Sequence, residues 1–324
     1  MAEWLVEEGI GENRAILIEG DAIAAARIDW PGSLAAGQIE DARLIARQAG
    51  SARGTARFAG GEEALVDRLP KSASEGATIR LEVTRASIGE AGRTKLAQAR
   101  PTEECPRPAP SLAEALEREG HSARIVRRFP IEGWDDLLDE AFSREIAFPG
   151  GSLLLSPTPA MTLIDVDGTL PPARLALAAV PAIGAALRRL DIGGSVGVDF
   201  PTLVAKAERR AVDEALGKAL TDWPHERTAM NGFGFIQLVA RLARPSILQR
   251  AASSRTGMAA RRLLRRAEGI TQPGALLLTC HPAIRAKLKD EWLAELARRT
   301  GREIRVESDP ALALEAGFAQ AVPL

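Results

Sequence analysis

The chain has 324 residues, of which 46% are hydrophobic and 26% charged, and its formal net charge is −1 at pH 7. This composition is ordinary for a globular protein and excludes a largely disordered chain. At this length we expect a central domain with one or two smaller modules. Cys105 and Cys280 are the only cysteines, too few for a disulfide framework or a four-cysteine zinc site.

The N-terminal residues and the apolar segments indicate where the protein resides. The opening sequence MAEWLVEEGIGENR carries acidic residues before any apolar run, which is the reverse of a secretory signal. The longest uncharged apolar stretch runs from Leu175 to Leu187 and contains Pro181, so it is too short and too interrupted to span a bilayer. We therefore expect a cytoplasmic protein that does not enter a membrane.

The first hundred residues have the pattern of β-structure. Residues 14–29 alternate apolar and polar positions around Gly20 and Asp21, which predicts a tight hairpin, and we assign residues 1–34 to the core as its N-terminal hairpin. Residues 35–100 contain short β-like stretches separated by glycine-containing turns. This pattern predicts a small OB-like β-barrel inserted into the core.

The barrel is followed by a predicted linker, residues 101–118, in which four prolines fall within ten residues. Ser111 with Glu114 three residues later is the pattern of a capping box, so a helix should begin there.

Residues 119–250 are the predicted α/β core, with a mixed sheet built around a βαβ unit. The strand-like runs MTLIDVD and SVGVDF are separated by a long helical segment, so these two strands should be parallel neighbours. A second helical segment, from Thr202 to Leu220, follows. Residues 251–324 are assigned to a basic helix and a small α+β C-terminal domain, whose tail reads as a helix, the strand REIRVES and a short final helix.

Three aspartates at the ends of the two core strands are the candidate metal ligands. Asp165 and Asp167 are separated by one residue and should point to the same face, and Asp199 ends the next parallel strand. Carboxylates gather only when a cation or protons neutralise them, and oxygen ligands select a hard ion. We predict that these carboxylates bind Mg²⁺, or Mn²⁺ as an alternative, and that the ion serves the hydrolysis of a phosphodiester bond. Capping of a helix by Asp199 is the competing structural role.

Positive charge is concentrated in one segment of the chain. Residues 227–267 contain nine arginines and no acid, so the rest of the chain carries −10 against a total of −1. Such a block is either a solvated helix face or a surface that contacts phosphates. The candidate phosphate contacts are Lys206, Arg210, Arg241, Arg244, Arg261, Arg262, Arg265 and Arg266.

The segment IDVDGTL resembles the first motif of the haloacid-dehalogenase phosphatases. That resemblance implies that Asp165 is a nucleophile and Asp167 an acid or base, with Mg²⁺ alongside. In that family the motif opens the core domain and an acidic GDxxxD-type segment follows later. Here the motif arrives at residue 165 and no such segment follows it.

A second resemblance runs in one order along most of the chain. ENRAILIEGDAIAAARIDWPG resembles the opening hairpin of the ribonuclease E/G family, and FSREIAFPGGSLLLSPTPAMTLIDVDG resembles its segment leading to a metal-binding aspartate. ERRAVDEAL, GFGFIQLVARLARPSIL and the C-terminal HPAIRAKLKDEWLAELARRTGREIRVESDPAL are similar to later segments of that family. We rank this resemblance above the phosphatase.

The ribonuclease resemblance implies a Mg²⁺-dependent endoribonuclease that cleaves single-stranded RNA with a metal-activated water and leaves a 5′ phosphate. It implies that Asp165 and Asp199 are the metal ligands, with Asp167 where asparagine is usual. Phe58, the single aromatic residue between positions 35 and 100, is the candidate for base stacking in the barrel.

The chain also departs from that family. Gly232 stands where arginine is usual in the RFG-like segment, and Gln237 stands where glutamate is common. These changes keep a catalytically impaired RNA-binding protein as an alternative. No CPxC segment follows Leu248, so a zinc-linked assembly is not supported, although another oligomer stays open.

Overall fold

The computed structural model describes residues 3–90 and 92–324. It is an α/β structure with several mixed sheets and one closed barrel, as the sequence predicts. The strands of the described part are β1 (Glu3–Glu8), β2 (Asn13–Glu19), β3 (Ala22–Asp29), β4 (Ile39–Arg47), β5 (Gly54–Arg57), β6 (Glu63–Val66), β7 (Thr78–Arg85), β8 (Ile88–Glu90), β9 (Arg93–Lys95), β10 (Ala97–Pro101), β11 (Ser122–Val126), β12 (Glu145–Phe148), β13 (Gly151–Pro157), β14 (Thr162–Gly168), β15 (Gly194–Asp199), β16 (His225–Arg227), β17 (Phe235–Ala240), β18 (Ala275–Cys280), β19 (Ile304–Ser308) and β20 (Phe318–Val322).

All helices of the described chain lie after the barrel, from residue 112 onward. They are α1 (Leu112–Arg118), α2 (Trp134–Ser143), α3 (Pro172–Arg189), α4 (Lys206–Ala219), α5 (Ile247–Ser253), α6 (Arg255–Glu268), α7 (Pro282–Arg285) and α8 (Asp290–Thr300). In the part of the chain described here, no helix has the length and apolarity needed to cross a membrane.

The N-terminal hairpin is confirmed and forms part of a four-stranded sheet of order β11-β1-β2-β3. β2 and β3 are joined at Gly20, whose φ of +60° provides the left-handed turn. β11 pairs in parallel with β1, so the chain returns to this sheet after the barrel has been inserted. The capping box is also confirmed: the Ser111 hydroxyl accepts from the Glu114 amide, and the Glu114 carboxylate accepts from the Ser111 amide.

The predicted barrel is confirmed as a closed barrel of order β10-β6-β5-β4-β7. Its interior is filled by small and branched apolar side chains, among them Leu44, Ala56 and Leu81. Phe58 belongs to this interior and is only 3% exposed. The prediction that Phe58 stacks on a base is therefore wrong, because the ring is used to fill the barrel.

The central sheet has the order β12-β13-β14-β15-β17-β16. β14 and β15 are parallel neighbours joined by α3, as predicted, while β13 and β17 flank them in antiparallel orientation. One face of the sheet carries buried apolar residues such as Ile164 and Val198 and packs against α3. The opposite face carries the aspartates and is open to solvent at the carboxyl ends of β14 and β15.

Two sequence predictions in the second half are corrected. The helix expected from Thr202 begins at Lys206, because the segment from Pro201 to Ala205 is an irregular connection that leaves the end of β15. The short final helix is a strand instead: β20 pairs antiparallel with β18, whose other edge is paired with β19. β20 thereby supplies hydrogen-bonding partners that the second edge of β18 would otherwise lack.

A column of alternating aromatic and cationic side chains joins the N-terminal sheet to the C-terminal helices. The Arg261 guanidinium lies 3.9 Å from the Trp30 ring centroid and 4.7 Å from that of Trp292. Arg250 lies 4.7 Å from the Trp30 centroid and Lys289 5.2 Å from that of Trp292. Cation–π contacts of this kind contribute about 0.5–2 kcal/mol each, depending on desolvation.

Candidate active site

The candidate site is a row of side chains that crosses the central sheet. Strand register places Asp165 opposite Leu154 on one side and opposite Asp199 on the other. Asp199 is in turn opposite Phe235. Neighbouring strands lie about 4.8 Å apart, and residues in register share a face, so the two carboxylates lie side by side. Both aspartates are exposed.

Gly197, which has no side chain, leaves space on the sheet surface beside Asp199 for the Phe235 ring. A Cβ at Gly197 would lie 2.5 Å from the Phe235 ring and 3.0 Å from the Met161 sulfur, so no larger residue fits without displacing them. Gly197 precedes Asp199 by two residues and therefore lies on the same face. The Phe235 ring consequently packs onto the strand that carries the carboxylate.

Asp167 lies on the same face, one pleat repeat beyond Asp165. Its carboxylate accepts a hydrogen bond of 2.8 Å from the Gly168 amide. Burial, together with the negative charges of Asp199 and Asp167, raises the pKa of Asp165 above its ordinary value of 3.8. A cation at this position would remove that repulsion.

The carboxylates are not used as helix caps. The N-cap of α3 is Pro171 and that of α4 is Ala205, and neither helix has a side-chain cap. This removes the role that competed with metal binding for Asp199. The two strand-end carboxylates therefore have no structural partner that explains their position.

The donor chemistry fits Mg²⁺. Over residues 3–90 and 92–324, no group of three or more His, Cys, Asp or Glu side chains is arranged to hold a metal ion. Mg²⁺ in proteins is commonly held by one or two carboxylates while retaining several waters. The pair Asp165 and Asp199 matches that requirement, whereas the predicted site of all three aspartates with Asp167 is not found among the described residues.

Of the candidate cationic residues, Lys206 is the closest to Asp199 in the chain. It is the first residue of α4, which begins after the connection that follows Asp199, and its side chain is exposed. Arg210, one turn further along α4, is also exposed but forms an ion pair of 2.7 Å with Glu214. Lys206 is therefore available for a phosphate, and Arg210 would have to exchange its partner.

Arg241 and Arg244 lie at the other end of the sheet. Arg241 directly follows β17, whose first residue is opposite Asp199, so the length of the strand, about 20 Å, separates them. Arg244 donates to Glu119 at 3.0 Å and lies 3.6 Å from Asp191. Arg244 would have to leave these acids to reach a phosphate, and the prediction that Arg241 and Arg244 contact the RNA backbone stays a prediction.

Four of the five arginines of α6, namely Arg261, Arg262, Arg265 and Arg266, are the predicted RNA contacts, and all four are engaged within the fold. Arg262 is 5% exposed, and its Nε and Nη1 donate to Asp135 and Asp139 at 2.9 and 2.6 Å. Arg265 donates to Glu7 at 3.0 Å, and Arg266 donates to Asp135 at 3.2 Å.

Arg261 also lies inside the protein, where it donates to the Gly11 carbonyl at 2.7 Å within the aromatic column. Burial lowers the pKa of Arg261 to about 10, so it stays protonated at neutral pH. The prediction that Arg261, Arg262, Arg265 and Arg266 contact RNA is therefore corrected: their acidic and aromatic partners come from distant parts of the chain.

Sequence reasoning missed two exposed apolar residues at this end of the sheet. Val204 is 91% exposed in the connection after Asp199, and Phe233 is 81% exposed in the turn before β17. The only available signal was that Phe233 lies between two glycines after Asn231, a composition typical of an exposed turn.

A comparison with protein-family models matches one segment of the chain. Residues 95–241 match the model described as the Ribonuclease E/G family. The matched segment contains all six strands of the central sheet and the three aspartates. It also contains IDVDGTL, so the motif that resembles the phosphatases lies inside the segment that matches the ribonuclease model.

Proposed function

We propose that the chain is a Mg²⁺-dependent endoribonuclease of the ribonuclease E/G type that cleaves single-stranded RNA, a proposal supported by the match of residues 95–241 to the model of that family. The observation that carries the proposal is the register of Asp165 with Asp199 on the open face of the sheet. The family match supports endonucleolytic hydrolysis of RNA, and the paired carboxylates support the metal.

In this proposal Asp165 and Asp199 hold one Mg²⁺, or Mn²⁺ in its place. The ion supplies Lewis-acid activation of a water and of the phosphate. Protein side chains bind the RNA backbone: the exposed Lys206 ammonium contacts a phosphate oxygen, and the open face of the sheet leaves room for an extended RNA strand. Asp167, two residues after Asp165 in β14, adds a third negative charge beside the pair.

The first test is cleavage of a labelled unstructured RNA by the purified full-length protein in Mg²⁺, in Mn²⁺ and in EDTA. We expect cutting with either ion and none in EDTA. Asp165→Asn and Asp199→Asn should each abolish cutting while RNA binding is kept, because each removes a ligand and a repulsive charge. Asp21→Asn, in an exposed hairpin turn, is the matched control and should cut normally.

A binding measurement separates metal loss from misfolding. Mg²⁺ should raise the melting temperature of the unmodified protein and of Asp21→Asn, but not of Asp165→Asn, because a ligand stabilises the state that binds it. RNA binding without cutting in either ion would instead identify an RNA-binding protein. Rapid turnover of phosphomonoesters with RNA untouched would favour a phosphatase.

A further inference from the structure

The turn between β16 and β17 presents an aromatic ring to solvent at the end of the sheet that carries the carboxylate pair. Phe233 is 81% exposed, more than any other aromatic residue among the exposed large hydrophobic residues of the described chain. A single exposed apolar residue is ordinary on a protein surface, so exposure alone carries no meaning. The backbone that holds the ring and its distance from the aspartates are the informative features.

The turn is held rigidly by its own hydrogen bonds. The Asn231 side-chain oxygen accepts from the amides of Phe233 at 2.9 Å and Phe235 at 3.1 Å. Gly234 has a φ of +91°, and a Cβ there would lie 2.5 Å from the Phe200 carbonyl oxygen. The turn is therefore packed tightly against the connection that follows Asp199, and Phe233 projects from a fixed backbone.

The register of the sheet places this ring close to the carboxylates. Phe235 is opposite Asp199, and the Phe200 amide donates to the Gly234 carbonyl at 3.1 Å. Opposed Cα atoms in antiparallel strands are about 5 Å apart, and two residues span at most about 7 Å. The Cα atom of Phe233 therefore lies within about 12 Å of that of Asp199, a separation that a nucleotide next to the cleaved phosphate can bridge.

The neighbouring connection is fixed in a similar way. Arg209 donates from Nη1 to the Leu203 carbonyl at 2.6 Å and to the Val204 carbonyl at 3.0 Å. Val204 is thereby held exposed, and Lys206 follows two residues later with an exposed ammonium group. The end of the sheet thus combines two carboxylates, one cation and one exposed aromatic ring on a hydrogen-bonded turn.

This combination suits a single-stranded nucleic acid, whose unstacked bases bind aromatic rings while cations contact the backbone. We propose that Phe233 stacks on an unpaired base of an RNA strand that lies along the sheet end carrying Asp165 and Asp199, and so positions single-stranded RNA for cleavage. The inference rests on the proposed function. It assigns to Phe233 the base-stacking role that the buried Phe58 cannot perform.

The test measures binding of short single-stranded RNAs in EDTA, where no cutting occurs. Phe233→Ala should weaken binding about 5- to 150-fold, the range for loss of one base–aromatic stack. Phe233→Trp should restore it, whereas Phe233→Leu should not, because leucine has no aromatic face. Phe318→Ala, at a 41% exposed phenylalanine on the separate C-terminal sheet, is the matched control and should bind normally.

A scan with one abasic nucleotide identifies the contact. One abasic position should weaken binding to the unmodified protein, and the same RNA should bind Phe233→Ala with no additional loss. Equal losses for single-stranded and duplex RNA, or an abasic penalty that persists in Phe233→Ala, would overturn the proposal.

The two proposals fail differently. If the abasic coupling is found but no RNA is cut, the stacking site stands and the nuclease proposal fails. If RNA is cut and Phe233→Ala changes neither affinity nor KM, the stacking proposal fails and the nuclease proposal stands.

Discussion

Substitutions of Arg262 and its acidic partners test whether the arginines of α6 stabilise the fold or bind RNA. Its side chain is 5% exposed, whereas the side chains of its partners Asp135 and Asp139 are 40% and 59% exposed. Removing the acids would leave a buried guanidinium without a counter-charge. Removing the arginine would leave two carboxylates that water can reach.

The two perturbations should therefore differ in size. The double change Asp135→Ala and Asp139→Ala should lower the free energy of unfolding by about 3–5 kcal/mol, the usual cost of an uncompensated buried charge. Arg262→Met should cost only about 1–2 kcal/mol, because the methionine keeps the apolar stem and the carboxylates are rehydrated. Combining all three changes should recover part of the stability lost in the double variant.

Urea denaturation followed by circular dichroism measures these differences, and Arg298→Met serves as control because its 72% exposed side chain pairs with Glu295 on the surface. The control should leave the urea midpoint unchanged. The reasoning would be refuted by an Arg262→Met protein with unchanged stability but weaker RNA binding. In that case the slope of log affinity against log salt should also flatten by about 0.7 for the phosphate contact removed.

Two further predictions concern acid stability and the barrel. Burial opposes the charge of Asp135, but Arg262 and Arg266 outweigh it and lower the pKa of Asp135 below its ordinary value of 3.8. Because the native state binds this proton less readily than the unfolded state, the ion pair stabilises the fold fully above pH 3.8, and this stabilisation is lost as pH falls through the lowered pKa. Acid titration of Arg262→Met should therefore show a smaller loss of unfolding free energy than the unmodified protein. Phe58→Ala should destabilise the barrel by about 3–5 kcal/mol through a cavity, measured by urea denaturation, and a stable variant with weaker RNA binding would contradict its assignment to the core.

The backbone arrangement could be predicted because it depends on local patterns. The alternation around Gly20, the capping box at Ser111 and the crossover between the two aspartate-ended strands are each visible within short stretches of sequence. The pairing of Asp165 with Asp199 follows from that crossover, since a βαβ unit brings the carboxyl ends of its strands together.

The role of the arginines could not be predicted in the same way. A segment without acids looks like an exposed cationic surface, but the partners of Arg262 and Arg265 are 123 or more residues away in the chain. Only tertiary packing brings Asp135 and Glu7 to α6. A local excess of charge therefore says little about the charge of the folded surface when the opposite charges come from other elements.

The long-range contacts of α6 have a consequence for synthesis on the ribosome. Glu7 in β1 is 5% exposed and lies against Arg265, and Trp30 is stacked on Arg261. Those arginines leave the exit tunnel more than two hundred residues after the strand and turn that they complete. The barrel, whose strands lie between residues 39 and 101, can close much earlier. We therefore expect that the barrel of the nascent chain is folded while the N-terminal sheet still lacks its contacts with α6. A chaperone would have to shield that sheet until α6 emerges.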